Sequence, residues 1–343
     1  MDRETEKNQQ VADFWADVAE REELGFWCAP GWKEHQNRLA SGDPDRSWLQ
    51  VFHEEMRLQG KEPGHARSIG CGSGLLEREM IEEGLCTSVE GCDLSEPLLA
   101  IAEEKAAQQR MPITYFIADL NTHDFPKNHY DLIIGAGIFH HVDALERLFG
   151  ELKESLKVGG VLLLYDYVGP SRFQWSEKQI ARCNAWLNRL PKKYKKKQGY
   201  PYYYYVGKTL FDLIPFSSST FLERAVEKLA SRRLFSQFVR IKTAQTTMKT
   251  LIPPHPAQFF VTDPSEAIRS SDILPALQEH FVIEKFLSLG GTLAQPLFGR
   301  TVANFLHDQE GQKWAALILE DERIAIQNNE LESDFIALMA KKK

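Results

Sequence analysis

The chain is poor in cysteine, and the five it has, Cys28, Cys71, Cys86, Cys92 and Cys183, include no CxxC spacing. An odd, unpaired set indicates neither a disulfide framework nor a zinc ribbon, and it fits a reducing compartment. Nothing in the sequence calls for a metal. No apolar run is long enough to span a bilayer, and the opening Met1-Asp2-Arg3-Glu4-Thr5-Glu6-Lys7 is too charged for a signal peptide, so the expectation is a cytoplasmic protein free of the membrane. A positive balance is missing too: 41 Lys and Arg against 48 Asp and Glu leave a net charge of -7, which gives no general electrostatic reason to bind nucleic acid. Internal repeats are absent. What is present, 43% apolar and 26% charged residues over 343 positions, is the balance of an ordinary globular protein with one large elaborated domain or two smaller ones.

The richest local signal is Ser68-Ile69-Gly70-Cys71-Gly72-Ser73-Gly74, which closes an apolar run and leads into the helical pattern Leu75-Leu76-Glu77-Arg78-Glu79-Met80. Glycines let a backbone approach a ligand closely, and the following helix offers unpaired N–H groups at its start. Around this turn, short apolar runs alternate with helix-like segments. Strands are expected at 66–69, 88–93, 113–118, 130–135 and 160–167, with helices notably at 96–109 and 142–156. Repeated units of this kind predict a parallel sheet covered on both faces, with the ligand beyond the carboxyl ends of its strands.

Before the turn, Val11, Phe14, Trp15 and Val18, then Trp48, Leu49, Phe52 and Met56, follow helical spacing, with a turn expected at Ser41-Gly42-Asp43-Pro44 between them. After Tyr167 the alternation stops for roughly ninety residues, far beyond an ordinary connection of about 4–6 residues. That stretch holds a helical piece at 221–235 and the run Lys192-Lys193-Tyr194-Lys195-Lys196-Lys197, with Tyr200 and Tyr202 to Tyr205 just beyond it. A helix at 270–280 and strands at 281–287 and 301–305 then resume the sheet. Leu317, Ile324, Leu331 and Leu338, seven residues apart, predict one long amphipathic helix over 312–339, packed on its own domain.

A dinucleotide fingerprint needs a third glycine three positions after Gly72, and Leu75 stands there. Asp93, about twenty residues past the turn, suits a carboxylate on ribose hydroxyls. Further on come Ala118-Asp119-Leu120, Gly135-Ala136-Gly137-Ile138-Phe139-His140-His141-Val142 and Leu156-Lys157-Val158-Gly159-Gly160. Together these segments resemble the class I S-adenosylmethionine-dependent methyltransferases, particularly the type 11/12 group, strongly over residues 66–167 and more loosely over 263–306.

The resemblance implies an α/β fold: a Rossmann-like, seven-stranded, mostly parallel sheet with helices on both faces. The expected domains are a helical N-terminal extension (1–60), a cofactor-binding core (61–168 plus 263–306), a large, mainly helical lid insertion after the fifth strand (169–262) and a C-terminal helix (307–343). It also implies S-adenosyl-L-methionine as cofactor, with S-adenosyl-L-homocysteine as product. Gly70, Cys71, Gly72 and Gly74 would lie along its methionine part, Asp93 and Leu94 at the ribose, Asp119 and Leu120 at the adenine, and Gly135 and Ala136 along the fourth strand. Family members often carry an acid two residues before the first glycine, where this chain has Ser68; Arg38 is a candidate partner for the cofactor's carboxylate.

Methyl transfer from a sulfonium is an in-line displacement, so alignment of the nucleophile can carry much of the catalysis. A base is needed only for an acceptor that arrives protonated. His140 and His141 stand where such a base would act, and Asp166, at the expected end of the fifth strand, is a further catalytic candidate that could orient the acceptor. Tyr167, Arg172, Trp175 and Tyr203 are candidates for acceptor binding. The expected acceptor is an oxygen or nitrogen of a small metabolite, sugar or natural product. A peptide or protein side chain is the alternative within the enzyme class, and a cofactor-binding regulatory protein without activity the alternative outside it.

Overall fold

The computed structural model describes residue 11 and residues 24–197, 247–256, 259 and 263–343. Seven strands form one sheet: β1 (His65–Ile69), β2 (Ser88–Asp93), β3 (Ile113–Ile117), β4 (Tyr130–Ala136), β5 (Leu156–Tyr167), β6 (Phe281–Gly290) and β7 (Phe335–Lys342). Their order is β3-β2-β1-β4-β5-β7-β6. β1 to β5 run parallel, and only β7 is antiparallel to its neighbours β5 and β6. Strand order reverses between β1 and β4, and a crevice opens at the carboxyl ends of such a pair.

Period-two alternation splits the central strands between two cores. Leu132, Ile134, Val161 and Leu163 face one side, Ile133, Leu162 and Leu164 the other, all essentially without exposure. The first side is covered by α1 (Trp32–Ser41), α2 (Trp48–Leu58) and α3 (Leu75–Glu82) through Trp32, Phe52, Met56 and Met80. α4 (Glu96–Gln108) lies against β2 and β3. α5 (Leu145–Ser155) covers the second side with Leu148, Phe149 and Leu152. α2 starts where Ser47 and Gln50 cap each other's backbone N–H groups, a capping box.

α6 (Glu177–Arg189) opens the stretch after β5, begun by Ser176, whose hydroxyl accepts the Gln179 N–H. It is bolted down: Arg182 pairs with Asp321 and Glu330, and the Trp186 indole N–H also reaches Asp321. Of the lysine run, Lys193 pairs with Asp308 and Glu310, and Tyr194 is buried with its hydroxyl donating to Asp308. The helix expected at 221–235 and the tyrosines at 200 and 202–205 lie outside the described residues, as do Phe14, Trp15 and Val18.

α7 (Ile273–His280) packs on α5 and feeds β6; α8 (Ala294–Phe298), α9 (Ala303–Leu306) and α10 (Gln309–Gln327) follow. Two expectations are corrected here. Residues 301–305 form a turn and the short helix α9, not a strand, with Val302 and Phe305 buried in the first core. The expected helix to Met339 ends at Gln327, where Asn329 turns left-handed (φ 57°), and the chain then returns as β7. The seven-residue stripe is accordingly not a buried face: Leu317 and Ile324 are exposed, Leu331 follows the helix, and Leu338 lies inside β7. The face α10 buries is Ala315, Ile318, Leu319, Glu322 and Ala325. Among the described residues no helix is long and apolar enough to cross a membrane.

Candidate active site

The chain after β1 makes its turn through Gly70 and Gly72, both at positive φ (64° and 52°). A Cβ at Gly70 would strike Ile138 at 2.3 Å, so the two loops meet only because that carbon is absent; at Gly72 the space is open. Asp93, at the end of β2, holds the turn from the side. Its carboxylate accepts the N–H groups of Gly72 and Ser95, each at 2.9 Å. Burial raises its pKa against the pull of those amides. Beyond β3, Asp119 accepts from the backbone and side-chain nitrogens of Asn121, and the Asn121 carbonyl in turn accepts the N–H groups of Asp143 and Ala144. Asn121 thus ties the loop after β3 to the loop after β4.

These loops enclose a cavity of about 220 Å³ at the switch point, lined by Val11, Gly70, Gly72, Asp93, Leu94, Ser95, Leu98, Ala118, Asp119, Leu120, Asn121, Gly137, Ile138, His141, Val142 and Ser265. Two carboxylates stand among apolar walls, and Gly137, like Gly72, leaves space open above its backbone.

At one end of the cavity lies a group of ionisable side chains. The short turn Phe139–His141 is fixed by the buried Asp166, which accepts the N–H groups of Ile138 and Phe139 at 2.9 and 2.7 Å and pairs with His140 Nδ1 at 2.5 Å. The residues after 262 close over it. His141 Nδ1 meets Ser265 Oγ at 2.9 Å and Asp263 at 3.4 Å, while Glu266 lies 3.7 Å from His140 Nε2 and 3.9 Å from His141 Nε2. Arg172, itself at positive φ (55°), clamps this segment by donating to the carbonyls of Glu266 and Pro264. Burial works to lower the pKa of His140, but the Asp166 charge and hydrogen bond outweigh it and carry it up to about 9, while burial and the neighbouring cations push His141 well below its ordinary value. Burial likewise carries Glu266 up to about 7, against the attraction of His140.

Residues 68–160 match the family model described as "Methyltransferase domain". This segment is a class I S-adenosylmethionine-dependent methyltransferase domain. The chain is 30% identical to a ubiquinone biosynthesis O-methyltransferase of Coxiella burnetii over 114 residues, covering 33% of this chain and 47% of that protein. It is 26% identical to phosphoethanolamine N-methyltransferase 1 of Arabidopsis thaliana over 171 residues, covering 47% of this chain and 35% of that one. The chain thus spans about half the length of the first of these curated relatives and about a third of the second. Among solved structures, an S-adenosylmethionine dependent methyltransferase from Mesorhizobium loti aligns over 86% of this chain and 100% of its own, at 19% identity and a TM-score of 0.41.

The cavity suits the cofactor of this methyltransferase family by its donor set: carboxylates at two strand ends for hydroxyl and amine groups, apolar side chains for a flat ring, and bare glycine backbone for close approach. Of the residues expected at the cofactor, Gly70, Gly72, Asp93, Leu94, Asp119 and Leu120 line it, and so does His141 from the catalytic set. Cys71 does not; its sulfur turns under the loop toward Gly91. Gly74 is the left-handed residue that starts α3, pressed against Tyr115 and Ala102. Gly135 is a packing glycine, where a Cβ would meet Phe139 at 2.5 Å, and Ala136 pairs with Tyr165 in the sheet. Arg38 does not line the cavity either: α1 packs on β6, at the edge of the sheet, and Arg38 acts on Glu320 of α10.

Among the acceptor-site candidates, Tyr167 and Trp175 pack in or against the first core, the Tyr167 hydroxyl donating to the Pro170 carbonyl, and Tyr203 lies outside the described residues. Arg172 serves as the clamp just described. The reading of the sequence missed Ser95, Asn121, Ser265, Asp263 and Glu266. Asn121 carried a signal, an Asp-x-Asn at a strand end, but Ser265 joins His141 across 124 positions and had none.

Proposed function

We propose that the chain transfers a methyl group from S-adenosylmethionine, by in-line displacement, to an oxygen or nitrogen of a small metabolite, sugar or natural product. The observation that carries this reading is the cavity at the β1/β4 switch point, framed by the glycine turn, Asp93 and Asp119 and opening at His141 and Ser265 onto a polar cluster. S-adenosylmethionine supplies a methyl group activated on a sulfonium. Asp93 is assigned to the ribose hydroxyls, Asp119 to the adenine amine with Leu120 against the ring, and Gly70 and Gly72 to the methionine part. Leu94, Leu98 and Val142 exclude water from the nucleoside.

Asp166 is assigned a positioning role: it fixes the turn that carries both histidines and orients His140. Alignment of the acceptor against the methyl group then supplies most of the rate. Relatives named as an O-methyltransferase and an N-methyltransferase support an oxygen or nitrogen acceptor. The test is calorimetric titration with S-adenosylhomocysteine, followed by mass-spectrometric detection of methylated product across a panel of phenols, alcohols and amines. Failure to bind S-adenosylhomocysteine would overturn the reading, and binding without turnover on any acceptor would favour a regulatory protein instead.

A further inference from the structure

We propose that His140, His141 and Glu266 form a binding site for one divalent transition-metal ion, of the zinc type, at the mouth of the cofactor cavity. Three observations carry it. The first is convergence: one ligand atom from each of the three residues lies within 4.8 Å of the others, and the two imidazole rings are only 4.1 Å apart at their centroids. Ligand atoms about 2.0–2.1 Å from a tetrahedral ion sit about 3.3 Å from one another. Glu266 presents one oxygen to each ring, Oε1 at 3.7 Å from His140 Nε2 and Oε2 at 3.9 Å from His141 Nε2, so the three ligands would draw together around the ion.

The second observation is the outer shell. Metal-ligating histidines engage their other nitrogen with a carboxylate, carbonyl or hydroxyl partner that fixes ring and tautomer. Here Nδ1 of His140 is held by Asp166 and Nδ1 of His141 by Ser265, so both Nε2 atoms are aimed at Glu266. Asp263 then holds Ser265, accepting its hydroxyl at 2.5 Å.

The third is charge. Asp166, Asp263 and Glu266 surround the two rings with Arg172 as their cation, and once a metal displaces the proton that Asp166 holds on His140, this leaves two formal negative charges in a largely buried group. A divalent ion cancels them. Two nitrogens and one carboxylate oxygen fill three positions and leave a fourth open, the arrangement of catalytic rather than structural sites. His141 and Ser265 also line the cofactor cavity, so that open position adjoins it, where a Lewis acid would polarise an oxygen acceptor. This role rests on the methyl-transfer reading; metal binding itself does not. The sequence, with its consecutive histidines and the third ligand far off, suggested no metal because Glu266 comes from 125 residues further on.

The experiment uses the full chain, stripped with a chelator and titrated with Zn²⁺ by calorimetry, then loaded with Co²⁺ for its visible absorption. Expected are one ion per chain, cobalt bands of a low-coordinate nitrogen and oxygen site, and at least about tenfold weaker binding in Glu266→Gln and in Asp166→Asn. Glu266→Gln should keep its affinity for S-adenosylhomocysteine. His65→Gln is the control, because His65, Glu90 and His129 also come together, at the amino ends of the strands, where Glu90 is already paired with Arg67. Absence of zinc binding in a chain that binds S-adenosylhomocysteine, or binding lost in His65→Gln and kept in Glu266→Gln, would overturn the site and leave the cluster a network of shared protons. Zinc binding as expected without S-adenosylhomocysteine binding would uphold the metal site and remove the methyl-transfer reading.

Discussion

At the scale of single residues, Asp93 has two tasks, because it braces the glycine turn and faces the cavity. Asp93→Asn keeps an acceptor oxygen for the turn and removes the charge. It should weaken S-adenosylhomocysteine binding by at least about 1.5 kcal/mol in calorimetry, through loss of charge-assisted hydrogen bonds; unchanged affinity removes Asp93 from the site. Ser68, standing where the family often has an acid, donates its hydroxyl to the fully buried Glu77 of α3. The helix after the turn thus sets a buried carboxyl group beside Ser68.

Asp334, in the turn before β7, is pushed up to about 7 by burial, with a hydrogen bond from Gln179 opposing and the charge of Glu322 adding. An unfolded aspartate loses its proton near about 3.9. Between those values the folded chain holds the extra proton, so this residue's contribution to stability falls as pH rises from about 4 to 7 and levels off above. Urea unfolding across that range should show the stability difference between wild type and Asp334→Asn moving in the variant's favour as pH rises, and a flat difference would disprove the shift.

Among elements, β7 and α10 carry the main departures from what periodicity suggests. Leu317 and Leu338 occupy the same seven-residue stripe, yet one is half exposed on α10 and the other is enclosed between β5 and β6. Leu338→Ala should cost about 2–5 kcal/mol in denaturant unfolding and Leu317→Ala within about 0.5 kcal/mol. Similar costs at both positions would restore the single-helix reading. α10 is anchored by the buried Glu322, which pairs with His35 and accepts the N–H groups of Gly291, Leu293 and Ala294. Removing that carboxylate with Glu322→Ala orphans three amides and a histidine at once, and a loss of about 3–5 kcal/mol is expected in the same assay.

For the molecule as a whole, ligand binding and folding are linked. S-adenosylhomocysteine at about a hundred times its Kd should stabilise the chain by about 2.7 kcal/mol, a Tm rise of about 3–4 °C for a chain of this length. Differential scanning calorimetry should find that rise much reduced in Asp93→Asn, and an equal rise in the variant would place the ligand elsewhere.

The parallel half of the sheet was legible in the sequence for a physical reason. Strands buried on both faces must be largely apolar, and the connections between them must be helices, so residues 130–135 and 160–167 announce themselves locally, while the start of β5, exposed at Val158 and Gly159, does not. The same holds for the glycine turn and for Asp93 and Asp119 at the strand ends, since these roles need particular residues at particular places along the chain. β7 was not legible, because Phe335 to Ala340 is apolar enough for either a strand or a buried helix, and only its two sheet neighbours decide between them. Nor were Ser265, Asp263 and Glu266, whose nearness to the histidines depends on a segment more than 120 positions away folding back under Arg172. Local chemistry determined the glycine turn and the central strands; the tertiary structure alone decided what faces His140 and His141, because those contacts have no period or spacing in the chain.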